Sequence, residues 1–319
     1  MRLLEVRNLA SDKAIRVEGL TKRYGDLVAV NDVSFTVDRG EIFAFLGPNG
    51  AGKTTTVEML ECLRKPTSGK AFVLGFDIAK DQMAIKKKTG VLPQDFYTYE
   101  RLTVKETIEY YAGMFDSQPD VDGLMKLVDL EDKSNVLFKH LSGGLRQRLG
   151  IAVALVNDPE LIFLDEPSAG LDPKARHGVW HLIEGLHKEG KTIFLTTHYM
   201  EEAEILASRV GIIHNGKIVA MNSPQGLISE YGKRNLLILK KTSSKAVSNI
   251  EKLGIKANYD QSTGDVIVHL NHSVAVSDVL HSLSDSGIPF GELQLRRSSL
   301  EDVFLNLTGE SLGEEEDAV

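Results

Sequence analysis

The run Gly47-Pro48-Asn49-Gly50-Ala51-Gly52-Lys53-Thr54 sets a lysine and a hydroxyl directly behind three glycines, in the order G-x-x-x-x-G-K-[ST]. Glycines let the backbone curl closely enough for its N–H groups to point at phosphate oxygens. The Lys53 amine reaches a β- or γ-phosphate from this position, and the Thr54 hydroxyl suits Mg²⁺. The apolar run Ile42 to Leu46 predicts a buried strand before the loop, and Thr54 to Leu63 predicts a helix after it. The helix start adds its partial positive charge to the cradle. A bare glycine-rich turn is the plainer alternative, and the strand–loop–helix setting disfavours it.

A second cluster completes this chemistry. Leu161-Ile162-Phe163-Leu164-Asp165-Glu166 reads as a buried strand ending in two carboxylates. In such sites the first acid holds Mg²⁺ and the next can polarise an attacking water. Two acids in an exposed turn with Pro167 would be the alternative, but the apolar run demands a buried strand. Thr192 to Thr196 predicts a third such strand, leading to Thr197-His198. Ligands bind at the carboxyl ends of strands in open α/β sheets, so His198 reads as a γ-phosphate contact. Ser142-Gly143-Gly144 stands where a helix running to Val156 would start, with bare N–H groups able to meet an anion. Taken alone it reads equally as a capped helix with a close contact. Gln94 alone is an ordinary loop glutamine. Tyr24 is either a surface loop residue or a stacking platform, and the former is the default.

These residues need elements to hold them. Residues 15–38 alternate as short strands, with a turn expected over Lys22 to Asp26. Ala71 to Leu74 and Gly90 to Leu92 read as further strands, and Lys86-Lys87-Lys88 as a solvated helix face. Residues 102–140 turn helical: Thr103-x-x-Glu106 is a capping box, and Val104, Ile108, Tyr111 and Phe115 recur at helical spacing. Pro173 opens a helix carrying Val179, Leu182, Ile183 and Leu186, on which Trp180 reads as packing. Glu201 and Glu202 begin a helix to Ser208, and Asn215-Gly216 joins two strands as a hairpin. From Leu236 the order strand, helix, strand, strand, helix, strand matches a small ferredoxin-like layout. A last helix covers about 300–307, capped by Ser298 or Ser299. The acidic run Glu314 to Asp317 predicts disorder.

Composition narrows the partners. The 319 residues carry a net charge of −8, which argues against general binding to nucleic acid. One cysteine, Cys62, leaves no internal disulfide and reads as packing. No apolar stretch approaches the ~18 residues of a membrane span. Met1 to Ala14 lacks the apolar core of a signal peptide.

Together these motifs resemble the ATP-binding cassette (ABC) ATPases over roughly residues 15–230. Gly47–Thr54 resembles Walker A, Leu161–Glu166 Walker B, and Leu141–Gly144 the LSGGQ signature, with Leu145 where glutamine is common. By position Gln94 resembles the Q-loop glutamine, Ser168–Asp172 the D-loop, His198 the switch histidine and Tyr24 the adenine-stacking aromatic. The resemblance implies an α/β P-loop NTPase cassette over 1–232: a RecA-like core, an antiparallel β subdomain and a helical insertion at about 100–158. A small α+β domain over 233–310 and an acidic tail over 311–319 would follow. It implies ATP and Mg²⁺ as cofactors. Tyr24, Asn49, Gly50, Ala51, Gly52, Lys53, Thr54, Thr55 and Gln94 would hold the nucleotide, joined by Ser142, Gly143 and Gly144. Thr54, Gln94 and Asp165 would hold the metal, and Glu166, His198 and Lys53 would act in catalysis. Two copies would stack head to tail, each site shared between them, with ATP closing the pair and hydrolysis opening it. A separate ABC-2 type membrane permease would be the partner, placing the chain on the cytoplasmic face of the membrane as an exporter subunit. A ribosome- or nucleic-acid-directed ATPase, an ATP-dependent regulatory module and an importer subunit are the competing readings.

Overall fold

The computed structural model describes residues 13–115, 118–232, 235–270 and 276–309. The expectations for the first 12 residues and for the acidic tail lie outside them. The chain divides into two compact units, the first running to Gly226 and the second from Leu227. The division falls inside the helix Pro224–Tyr231 and not at the expected 232.

The first unit contains two sheets. One is antiparallel, in the order β2-β1-β4-β5: β1 Lys13–Tyr24, β2 Leu27–Asp38, β4 Ser68–Val73 and β5 Phe76–Asp77. Tyr24 pairs with Leu27, so the β1–β2 turn is shorter than the Lys22–Asp26 span expected from sequence. The other sheet runs β10-β9-β3-β8-β7-β6. Its strands are β3 Ile42–Leu46, β6 Thr89–Leu92, β7 Leu161–Asp165, β8 Thr192–Thr197, β9 Arg209–His214 and β10 Lys217–Asn222. All neighbours are parallel except β10, which returns antiparallel to β9. That return is a two-residue turn with Asn215 and Gly216 both at positive φ, as a right-twisted hairpin prefers.

β3, β7 and β8 are buried at every position. Such uniform apolar runs fit parallel strands covered on both faces. One core joins the sheets. Phe35 of β2 stacks on Phe43 and Phe45 of β3 at 5.5 and 5.6 Å, and Phe194 of β8 lies 5.4 Å from Phe43. Pairs of this kind contribute about 0.5–1.5 kcal/mol each beyond burial. They fix β3, and with it the loop that leaves its end.

The helices are α1 Lys53–Leu60, α2 Gln82–Lys88, α3 Val104–Ala112, α4 Val121–Leu127, α5 Gly143–Ala154, α6 Pro173–Lys188, α7 Met200–Leu206 and α8 Pro224–Tyr231. α1 stops three residues short of the expected Leu63, because Cys62 takes a φ of +61°. The capping box of α3 is closed both ways: Glu106 N–H donates to Thr103 Oγ1 at 3.2 Å, and Thr103 N–H to Glu106 Oε2 at 2.8 Å. α5 begins after Ser142, but the Ser142 side chain makes no capping bond.

In the second unit, β11 Leu236–Lys240, β12 Lys256–Asp260, β13 Asp265–His269 and β14 Glu292–Arg296 form an antiparallel sheet ordered β12-β13-β11-β14. α9 Lys245–Glu251 and α10 Val276–Asp285 supply Ala246, Ile250, Val279 and Leu283 to a core with Leu237, Leu239, Val266 and Val268. This is the split β-α-β arrangement of two interleaved crossovers. α11 Leu300–Thr308 follows. Ser299 N–H donates to Asp302 Oδ2 at its start, at 3.3 Å.

Candidate active site

The register of the parallel sheet brings the chemistry together. Leu46 pairs with Thr197 and Asp165 with Thr196, so the loop after β3, the pair Asp165-Glu166 and His198 leave three adjacent strands at one edge. Gln94 follows β6, the next strand over. This carboxyl edge is where open α/β sheets bind ligands.

The loop between β3 and α1 is tightly held. Gly52 has a φ of +104°, and a Cβ there would lie 2.4 Å from the Ala29 carbonyl oxygen. Only glycine meets both demands. Ala51 N–H donates to Pro48 O at 3.2 Å, Asn49 and Gly50 are exposed at the tip, and Thr55 is half-buried in the first turn of α1. Lys53 is 4% exposed and turns back under the loop, donating to Gly47 O at 2.8 Å and Pro48 O at 3.3 Å. Its Nζ is also 3.2 Å from Glu166 Oε1.

Glu166 gathers the remaining groups. Its Oε2 lies 3.1 Å from His198 Nδ1 and accepts from Gln94 Nε2 at 3.4 Å. Its backbone sits at φ +49°, an uncommon left-handed position for a residue with a side chain. The Glu166 N–H, which donates to Thr196 O at 3.1 Å, fixes that turn. The two carboxylates are driven apart electrostatically. Burial pushes Asp165 up, against the Thr196 and Thr54 hydroxyls that act on it. Burial also acts to raise Glu166, but the His198 hydrogen bond and the Lys53 charge outweigh it and hold its carboxyl below the usual range. Glu166 is thus the ionised acceptor of the pair. Asp165, with the Thr54 hydroxyl beside it, is the member that a divalent cation would relieve, and hard oxygen donors suit such a cation. No cluster of three His, Cys, Asp or Glu side chains able to hold a metal is present among the described residues.

Lys53, Thr54, Gln94, Asp165, Glu166 and His198 therefore converge. Tyr24 does not join them: it is 40% exposed at the end of β1, with Lys22 Nζ 5.1 Å and Arg64 Cζ 5.7 Å from its ring centre. Ser142, Gly143 and Gly144 also stand apart at the start of α5. Among the described residues they make no hydrogen bond to Lys53, Thr54, Asp165 or Glu166. A Cβ on Gly144 would lie 2.8 Å from that of Ala175, and one on Gly143 3.6 Å from Leu171. The signature thus packs beside the 168–172 loop and the start of α6.

Two contributors are not apparent in the sequence. The Thr196 hydroxyl donates to Asp165. Trp180, expected to be plain packing, donates its indole N–H to the buried Glu202 at 2.9 Å. A threonine in an apolar strand facing an acid of the neighbouring strand is a usable signal; the tryptophan offers none.

In sequence and in fold the chain is similar to known ATP-binding proteins. A family model described as "ABC transporter" matches residues 30–169. A daunorubicin resistance ATP-binding protein of Streptomyces coeruleorubidus is 34% identical, covering 94% of this chain and 97% of its own. A linearmycin resistance ATP-binding protein of Bacillus subtilis is 32% identical over 93% of this chain and 99% of its own. A Nod factor export ATP-binding protein of Bradyrhizobium diazoefficiens is 37% identical over 95% and 98%. Among solved structures, an ATP-binding subunit of an ABC transporter superposes with a TM-score of 0.62 at 28% identity, over 68% of this chain and 93% of its own. A dimeric ATP-binding cassette in a post-hydrolysis state with ADP and Pi gives 0.60 at 25%, over 66% and 98%. A P-loop cassette with the phosphate loop, the acid pair and the histidine at one sheet edge, related to ATP-binding proteins along nearly its whole length, is an ATP-hydrolysing subunit, and the chain belongs to the ABC transporter family.

Proposed function

We propose that this chain powers export through a separate ABC-2 type membrane permease, docked on the cytoplasmic face of the membrane. The observation that carries the reading is the contact of buried Lys53 and Glu166 with half-buried His198, beside Asp165. Its relatives are named for drug resistance and Nod factor export, and they match it through the second unit as well as the cassette. Among the described residues no helix is long and apolar enough to cross a membrane.

In this reading Lys53 binds the outer phosphates, and the N–H groups of 49–55 cradle them. Thr54 and Asp165, with Gln94 close by, would hold Mg²⁺, which would supply charge neutralisation at the phosphates. Glu166 accepts the proton of the attacking water, and His198 orients the γ-phosphate. Phosphate oxygens compete for Lys53, which removes one of the two restraints on the Glu166 carboxyl and makes it a better base. Tyr24 stacks on the base. Ser142–Gly144 serve the site of a second copy, since they stand away from the phosphate loop of their own chain. A γ-phosphate bound by both copies favours the closed pair by differential affinity.

The permease docks beside Gln94. Tyr97 and Tyr99, just past Gln94, are 72% and 61% exposed, and Tyr99 and Tyr110 stack edge to face at 5.2 Å. Large apolar side chains clustered on a surface mark an interaction site. The test is to tag the chain in its native cell, solubilise membranes gently and identify what co-purifies. One polytopic membrane protein is the expected partner. Recovery with ribosomes, or from the soluble fraction alone, would overturn the exporter reading and leave the ATPase standing.

A further inference from the structure

Glu202 touches none of the residues assigned to the phosphates directly, yet it is joined to them on two sides. It is fully buried in the first turn of α7. One carboxylate oxygen accepts the Trp180 indole N–H from α6. The hydroxyls of Thr197, just before His198, and of Ser168, two residues past Glu166, also act on the carboxylate. Even so, Glu202 Oε2 and Ser168 Oγ are both sealed from solvent without closing a hydrogen bond of ordinary geometry. A buried polar pair left open in this way is costly, and it is a place where a small displacement of one loop gains a bond. One turn earlier on α6, the Arg176 guanidinium lies 4.4 Å from the Tyr199 ring centre, and that ring lies 4.1 Å from the His198 ring. α6 therefore grips both flanks of His198, through Tyr199 and through Glu202. It also begins directly after the loop that carries Ser168.

We propose that Glu202 is a positioning residue for hydrolysis: it ties Trp180, the Ser168 loop and the Thr197–His198 turn into one buried unit, so that a shift of the loop is passed to His198 and keeps it in register with Glu166. A plain helix-packing residue would need no such set of polar partners. Burial favours the neutral form of Glu202, opposed by the Thr197 and Ser168 hydroxyls, the Trp180 indole and the Arg176 charge beside it. Glutamine is therefore a fair replacement, since it keeps an acceptor for the indole.

The proposal rests on the ATPase reading of the site. The chain has one tryptophan, so its emission reports this contact alone. The experiment uses the full chain and measures ATP retention, tryptophan emission and steady-state hydrolysis side by side. Wild-type emission is expected to shift when ATP binds. Glu202→Ala should retain ATP with affinity within about twofold of wild type, lose the shift, and show a kcat lower by about tenfold, as misplacement of a catalytic group does. Glu202→Gln should recover most of that activity. Should Glu202→Ala fail to fold, Ser168→Ala removes only a hydroxyl and should lower kcat about threefold with ATP affinity unchanged. ATP retained with no change in wild-type emission, or a wild-type kcat in the alanine variants, would overturn the proposal. No ATP retained by the wild type would instead overturn the ATPase reading, and this one with it.

Discussion

Lys53 Nζ and Glu166 Oε1 lie 3.2 Å apart, the lysine 4% and the glutamate 6% exposed, so the proposed phosphate-binding amine and the proposed base form a buried ion pair. Removing one partner of such a pair strands the other. Lys53→Met should therefore lose ATP affinity and also cost about 3 kcal/mol of stability. The double variant Lys53→Met/Glu166→Gln should recover at least about 1 kcal/mol of that loss in urea unfolding. Additive losses would contradict the pairing.

Glu166→Gln alone keeps the side chain's shape and removes its basicity. ATP should still bind, with hydrolysis slower by about 100-fold or more and the closed pair accumulating. Size-exclusion chromatography with and without ATP checks this. Turnover at the wild-type rate would remove Glu166 from its role.

The tyrosine surface gives a separable prediction. Tyr97→Ser and Tyr99→Ser replace side chains that are 72% and 61% exposed, so the fold should not suffer. ATP affinity should stay as in wild type, while recovery in the membrane fraction falls severalfold. Undiminished membrane recovery would move the docking site elsewhere.

Much of the site was legible in the sequence. β3, β7 and β8 are apolar throughout because both faces of the sheet are covered, and such runs announce themselves. The polar residue just past each run then had to lie at a strand end. Less legible were features set by contacts distant along the chain. Glu202 reads as a first-turn acid, since nothing local shows that Trp180 faces it from another helix. Ser142 has the residue type of a cap but makes no capping bond. Tyr24 extends a strand where a turn was expected, because pairing with Leu27 carries β1 further.

Glu61 gives the fold a pH signature. It is 7% exposed at the end of α1, and burial, with the charges of Asp165 and Glu58, pushes its carboxyl from 4.5 up to about 8. Between those values the folded chain holds a proton that the unfolded chain has released. Stability is thus full below pH 4.5 and falls as pH rises toward 8, by at most about 1.4 kcal/mol per unit. Glu61→Gln stays neutral, so its melting temperature should match wild type near pH 4.5 and exceed it at pH 8. A constant difference across that range would contradict the assignment.

In the proposed shared site, Lys53, Asp165, Glu166 and His198 come from one copy and Ser142–Gly144 from another. Ser142 is exposed and caps nothing, so Ser142→Arg should fold. Alone, Ser142→Arg and Lys53→Ala should each be nearly inactive. Mixed in equal amounts, they form some pairs in which one site has both intact halves, and hydrolysis should return to about a quarter of the wild-type rate, one site in half of the pairs. A mixture no more active than its separate components would contradict the shared site.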